Sequence, residues 1–128
     1  MIIQIEPNSD IPIYTQLTNQ IIEGIVRGKI RPGDSLPSVR AFAADLGVNM
    51  HTVNKSYHEL EKKGIIRIVP KSGAIIRSTE EMDNQEIQFK RIESELKPML
   101  AEALVLGMEK VQIQELILSI VQDLKNEV

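Results

Sequence analysis

The stretch PSVRAFAADLGVNMHTVNKSYHELEKKG, residues 37–64, decides the fold. Val39, Phe42, Ala43 and Leu46 recur at helical spacing until Gly47 supplies a stop. Only Val48 then precedes Asn49, a good N-cap residue, and Val53, Tyr57 and Leu60 share the face of a following helix that Gly64 closes. Two short helices flanking a very tight turn are the expectation.

Upstream, Pro12 suits an opening helical turn, and Ile13, Leu17, Ile21 and Ile25 recur every four residues up to Gly28. Pro32-Gly33 marks the loop after it, and Ser35-Leu36-Pro37-Ser38 leads into the second helix. Downstream, Ile65 to Val69 and Ala74 to Arg77 are rich in β-branched types around Pro70-Lys71-Ser72-Gly73, which predicts a hairpin with a basic tip. Ser78 and Glu81 have capping-box spacing, and the segment from there to Gln88 is polar enough to read as partly linker. Ile92, Leu96, Met99, Leu100 and Ala103 predict a helix up to Gly107, and Ile113, Leu116, Ile117, Ile120, Val121 and Leu124 predict another. Pro98 should either kink the first of these or bound it. The expected fold is mainly α with a small β-hairpin: a winged helix-turn-helix over residues 1–78, then a two-helix dimerisation region over residues 79–128.

Composition narrows the function classes. With 42% hydrophobic and 26% charged residues the 128-residue chain is an ordinary globular protein. It has no Cys, which excludes disulfides, thiolate metal sites and a cysteine nucleophile. MIIQIEPNSD shows no basic n-region followed by an apolar stretch, and no apolar run approaches the ~18 residues that span a bilayer, so the expected setting is the cytoplasm, away from membranes. The net charge of −3 is unevenly spread: residues 1–77 carry ten Lys or Arg against seven Asp or Glu, and residues 78–128 five against eleven. A basic front and an acidic back fit a DNA reader with an attached interaction module.

In a winged helix-turn-helix the second helix of the pair enters the major groove. Core positions on the Asn49 to Lys63 helix leave Met50, His51, Asn54, Lys55 and His58 pointing away, types that can meet base edges and phosphates. The free N–H groups at its N-terminus offer a further phosphate site.

The runs Pro32 to Arg40, Leu46 to Asn49, Thr52-Val53 and Tyr57 to Gly64 resemble the DNA-binding domain of the GntR family of regulators, over about residues 11–77. The short two-helix tail is similar to that of the YtrA subfamily; the 51 residues after the hairpin are too few for the large effector-binding domains of other subfamilies. The resemblance implies that Arg40 contacts DNA, that Thr52 lies near the start of the recognition helix and that Gly73 is a wing glycine. It also marks departures. Met50 stands where many relatives have a base-reading Arg, Asn54 where another Arg can follow, and Lys71 where the wing tip has its first glycine.

The candidate DNA-binding residues are therefore Ser38, Arg40, Asn49, Met50, His51, Thr52, Asn54, Lys55, Lys71, Ser72 and Gly73. The plainer readings are a solvated face for Arg40, a solubilising charge for Lys71 and a passive surface residue for Met50. The last predicted helix is apolar over more than one narrow stripe, so Leu96, Leu100, Ile113, Leu116, Ile117, Ile120, Val121 and Leu124 are the candidate dimer interface. His51 and His58 lie seven apart without a third ligand, so neither a metal nor a cofactor is expected. No nucleophile, base and orienting group cluster, which argues against an enzyme. The expected function is a sequence-specific DNA-binding transcriptional repressor acting as a homodimer on a two-fold symmetric double-stranded operator; an inducing small molecule is left unassigned. A winged helix reused for protein interaction is the alternative.

Overall fold

The computed structural model describes residues 3–83 and 85–126. The chain divides into two compact units, Met1–Asp83 and Asn84–Val128. In chain order the elements are α1 (Ile13–Val26), β1 (Ser35–Leu36), α2 (Val39–Leu46), α3 (Met50–Lys62), β2 (Ile66–Val69), β3 (Gly73–Ile76), a 3₁₀ turn (Thr79–Glu81), α4 (Gln85–Val105) and α5 (Lys110–Leu124).

In the first unit the apolar faces read from the sequence meet in one core. Leu17 and Ile21 of α1, Val53, Tyr57 and Leu60 of α3 and Ile66 of β2 are fully shielded from solvent, with Phe42, Ala43 and Ile76 close behind. Val39, Leu46 and Ile25 pack against this cluster from its edge. Polar groups drawn into the core find partners: the Thr18 and Ser56 hydroxyls bond across α1 and α3 at 2.8 Å. Thr18 also donates to the Tyr14 carbonyl at 2.7 Å, so Ser56 is the donor of the pair, and removing Thr18 would leave that buried hydroxyl unpaired at a cost of about 1–3 kcal/mol.

Gly47 makes the tight turn possible. It caps α2 in the left-handed region at φ 69°, where an L side chain would be strained, and its N–H bonds the Ala43 carbonyl. Two residues later the Asn49 carboxamide oxygen accepts from the His51 N–H at 2.7 Å and starts α3.

The sheet has three strands, one more than the hairpin expected from the sequence. Ser35-Leu36 pairs antiparallel with β3 through Ser35 opposite Ile75 and Leu36 opposite Ala74, giving the order β1-β3-β2. Two residues leave no periodicity to read, and only the partner strand makes them a strand. Also beyond the sequence reading, Gln16 and Gln20 strap the N-terminal segment to α1. The Gln16 carboxamide accepts from Glu6 N–H at 2.8 Å and donates to its carbonyl at 3.1 Å, and Gln20 does the same to Gln4 at 2.9 and 2.6 Å. Each side-chain amide thus stands in for a strand's peptide group.

The segment read as partly linker is mostly ordered into local structure, although Asn84 lies outside the described residues. The Ser78 hydroxyl bonds the Glu81 carboxylate at 3.1 Å instead of a backbone N–H, so the capping box expected there does not form. Helix α4 starts at Gln85, ahead of the expected apolar stripe. Its first turns consist largely of good helix formers, and Arg91 bonds Gln88 at 3.0 Å and Glu95 at 3.1 Å. Pro98 lies inside α4 and does not bound it. Helix α5 opens with a true capping box, in which Glu109 and Gln112 satisfy each other's backbone N–H groups.

Candidate nucleic-acid interface

Three elements of the first unit converge on one open groove of about 480 Å³. The start of α2 contributes Ser38, Val39 and Arg40; α3 contributes Met50 and Asn54; the wing contributes Ile68 to Lys71 and Gly73. Among the described residues that line it, the only charged ones, Arg40 and Lys71, are both cationic. Polyanionic partners are favoured at such a surface.

The junction at Leu36 and Pro37 holds the three walls together. The buried Tyr57 hydroxyl of α3 donates to the Pro37 carbonyl at 2.7 Å, immediately before the Ser38 cap of α2. Burial pushes the Tyr57 phenol well above its ordinary range, which keeps it a neutral donor. From the other side β3 lies so close that a Cβ on Gly73 would fall 2.1 Å from the Leu36 carbonyl oxygen. Gly73, buried with φ 120°, is thus required for packing the wing against β1, an explanation the sequence alone could not supply.

At the wing tip the Ser72 N–H bonds the Val69 carbonyl at 3.0 Å, closing a turn with Pro70 and Lys71 at its centre. Lys71 has φ 67°, the position of a type II turn that favours glycine. The turn carries backbone strain and presents an exposed ammonium at its apex.

Of the sequence-derived candidates, Asn49, His51, Thr52, Lys55 and Ser72 lie outside the groove's lining. Ser38, which lines the groove, spends its hydroxyl on capping α2, accepting from Ala41 N–H at 3.2 Å, and Asn49 caps α3. Arg40, His51, Asn54 and Ser72 are exposed, whereas Thr52 is half-buried. Lys55 points across to α1, its ammonium 4.0 Å from the centre of the Tyr14 ring, a cation–π contact that puts this charge on the α1 flank of the recognition helix. Tyr14 was not among the sequence candidates; its only prior signal was an aromatic on the polar edge of α1. His51 and His58 are both exposed on α3.

In the second unit neither α4 nor α5 has a buried residue. Leu96, Leu100, Ile113, Leu116, Ile117 and Ile120 line an apolar groove of about 300 Å³ between them. Val121 and Leu124 lie outside that lining: Val121 is exposed and Leu124 half-buried. Among the described residues no helix is long and apolar enough to cross a membrane.

The fold has known counterparts. The model of bacterial regulatory proteins, gntR family, matches residues 13–76, which span α1 to the end of β3. The HTH-type transcriptional repressor YtrA of Bacillus subtilis (strain 168) is 37% identical over 96% of this chain and 95% of its own length. The crystal structure of a transcriptional antiterminator from Listeria monocytogenes EGD-e covers 98% of this chain and 93% of its own, with a TM-score of 0.81 at 30% identity. That of AraR(DBD) in complex with operator ORX1 covers 57% of this chain and 90% of its own, with a TM-score of 0.50 at 28% identity. The chain belongs to the GntR family of bacterial regulatory proteins.

Proposed function

We propose that this chain is a cytoplasmic, sequence-specific repressor that binds a two-fold symmetric DNA operator as a homodimer. The observation that carries the reading is the groove in which the start of α2, the start of α3 and the wing come together with only cationic charge. A recognition helix beside a basic wing matches the way winged helices use the major groove and the adjacent backbone. The repressor sense is taken from the name of the Bacillus YtrA relative, and operator binding agrees with the AraR(DBD) complex.

The exposed apolar faces of α4 and α5 support the dimer. Leu96, Leu116, Ile117, Ile120 and Val121 are each more than two-fifths exposed, and helices apolar to this extent require a neighbour. A second copy offers the same surface. Two recognition helices about 34–36 Å apart would then meet successive major-groove faces and join two weak half-sites into one operator.

The test is selection of bound duplexes from a random pool, followed by titration of the enriched site. A two-fold symmetric enriched site with a steep salt dependence is expected; binding no DNA in preference to another would leave the winged helix as a protein-interaction module. Arg40→Ala should weaken that site by about 1–3 kcal/mol, the worth of a good arginine contact, without unfolding the protein.

A further inference from the structure

We infer that Met50 reads the C5-methyl group of a thymine in each half-site; this rests on the operator-binding reading above. Among the described residues of the winged-helix unit, three large apolar side chains stand exposed: Ile11, Val26 and Met50. Of these only Met50 lines the groove. It is the first residue of α3, and the N-terminal residues of a recognition helix are the ones that reach base edges.

Its neighbours in the groove are apolar as well. Val39 of α2 and Ile68, Val69 and Pro70 of the wing line it alongside Met50, with the cations Arg40 and Lys71 beside them. This apolar part of the lining offers dispersion and water exclusion to a methyl group, while Ser38, Arg40, Asn54 and Lys71 supply polar contacts around it. In the major groove of unmodified DNA the apolar group presented to a protein is the thymine methyl. Methionine suits it, being unbranched, adaptable and polarisable. Asn54 lies four residues on and lines the same groove, and its carboxamide is the side chain that pairs with the N6 and N7 of adenine. The two together select an A·T-containing step, one through the methyl and the other through the purine edge.

Deoxyuridine isolates the methyl, because it deletes that group and keeps every Watson–Crick and groove hydrogen-bonding atom. The full-length protein is titrated with the tightest duplex from the random pool, then with duplexes in which each thymine of a half-site is replaced singly by deoxyuridine. One position is expected to lose about fourfold in affinity, the worth of one buried methyl, with no loss for Met50→Ala at the same position. Replacing the sensitive T·A pair by 5-methylcytosine·guanine should retain Met50 dependence, whereas cytosine·guanine should not. Met50→Gln serves if Met50→Ala fails to fold. A tight duplex whose affinity is indifferent to every deoxyuridine overturns the inference and leaves operator binding intact, as does a uracil penalty that persists unchanged in the Met50 variant. A pool that yields no enriched duplex removes operator binding itself.

Discussion

The winged-helix unit and the C-terminal unit are built from the same apolar residue types and use them in opposite ways. In the first, Leu17, Ile21, Val53, Leu60, Ile66 and Ile76 lie inside a closed core. In the second, Leu104, Val105, Leu106, Val111, Leu118 and Ile120 remain half or more exposed. Burying a side chain such as Leu or Ile contributes about 1.5–3 kcal/mol, so the first unit satisfies its hydrophobic surface alone while the second leaves much of that contribution unrealised. On the proposed function, a reading surface needs rigid placement of Arg40, Met50 and Lys71, which a closed core supplies. An assembly surface needs exposed apolar area, which a closed core would remove.

Ile117→Asp strikes the contrast hardest. A carboxylate introduced among the residues lining the apolar groove of α4 and α5 would be buried without a partner if a second copy covers that groove. The variant should sediment as a monomer at micromolar concentration and lose operator affinity by about 10²-fold or more, as the avidity of two joined half-sites disappears. A fragment ending at Asp83 should behave likewise and stay folded. A variant that remains dimeric would place the assembly surface elsewhere.

A matched pair of truncations sharpens the comparison. Leu17→Ala opens a cavity in the closed core and should cost about 2–5 kcal/mol, the same at every protein concentration. Leu116→Ala, starting about half exposed, should instead lower the melting temperature most at low protein concentration, because there stability is linked to association. Thermal unfolding over a hundredfold concentration range separates the two. Equal behaviour would mean that both units are stabilised in the same way.

The same division governed what could be read from the residues. The faces of α1, α2 and α3 were legible because a core imposes a 3.6-residue period on whichever side chains fill it. Lone contacts left no such trace. The two-residue β1 exists through its pairing with β3, the Gln16 and Gln20 straps through the segment they hold, and the Tyr14–Lys55 contact through the packing of α1 on α3. Among the candidate site residues, type and position on the element single out Met50, Asn54 and Lys71, the family resemblance singles out Arg40, and the structure brings all four to one groove. Positioning groups were harder. Tyr57 was recognised as core, but its hydroxyl's bond to Pro37 joins residues 20 apart and follows no spacing rule.

That bond gives a smaller, pH-dependent effect confined to the closed core. Tyr57→Phe keeps the ring against Phe42 but strips the Pro37 carbonyl of its donor, at about 1 kcal/mol near neutral pH. Because burial raises the folded-state pKa above its unfolded value of about 10, the neutral phenol's contribution is complete below pH ~10 and is lost above it. Stability of the wild type should therefore fall by about 1.4 kcal/mol for each pH unit from this group once the unfolded tyrosine ionises. Denaturant unfolding between pH 9 and 11 should show a shallower decline for Tyr57→Phe, and parallel slopes would assign the alkaline loss to other groups.

The smallest expected stability effect is at the wing tip, and there stability and binding should move in opposite directions. Lys71 at φ 67° carries the cost of a left-handed conformation, about 1–2 kcal/mol for an L residue, which Lys71→Gly would release. Glycine also raises the entropy of the unfolded chain, offsetting about 0.4–1 kcal/mol of that gain. The net is a stabilisation of roughly 0.5 kcal/mol, visible as a small rise in denaturant midpoint. Operator affinity should nevertheless fall, and the slope of log affinity against log salt should flatten by about one unit or less, because one cation facing the phosphates is gone. All duplexes should weaken alike, since a backbone contact carries no sequence preference, in contrast to substitutions at Asn54 or His51, which should reorder the preferred sites. A Lys71→Gly protein that is more stable and binds as before would make the strained lysine a feature of the turn alone. One that reorders the sites would give the wing a part in reading bases.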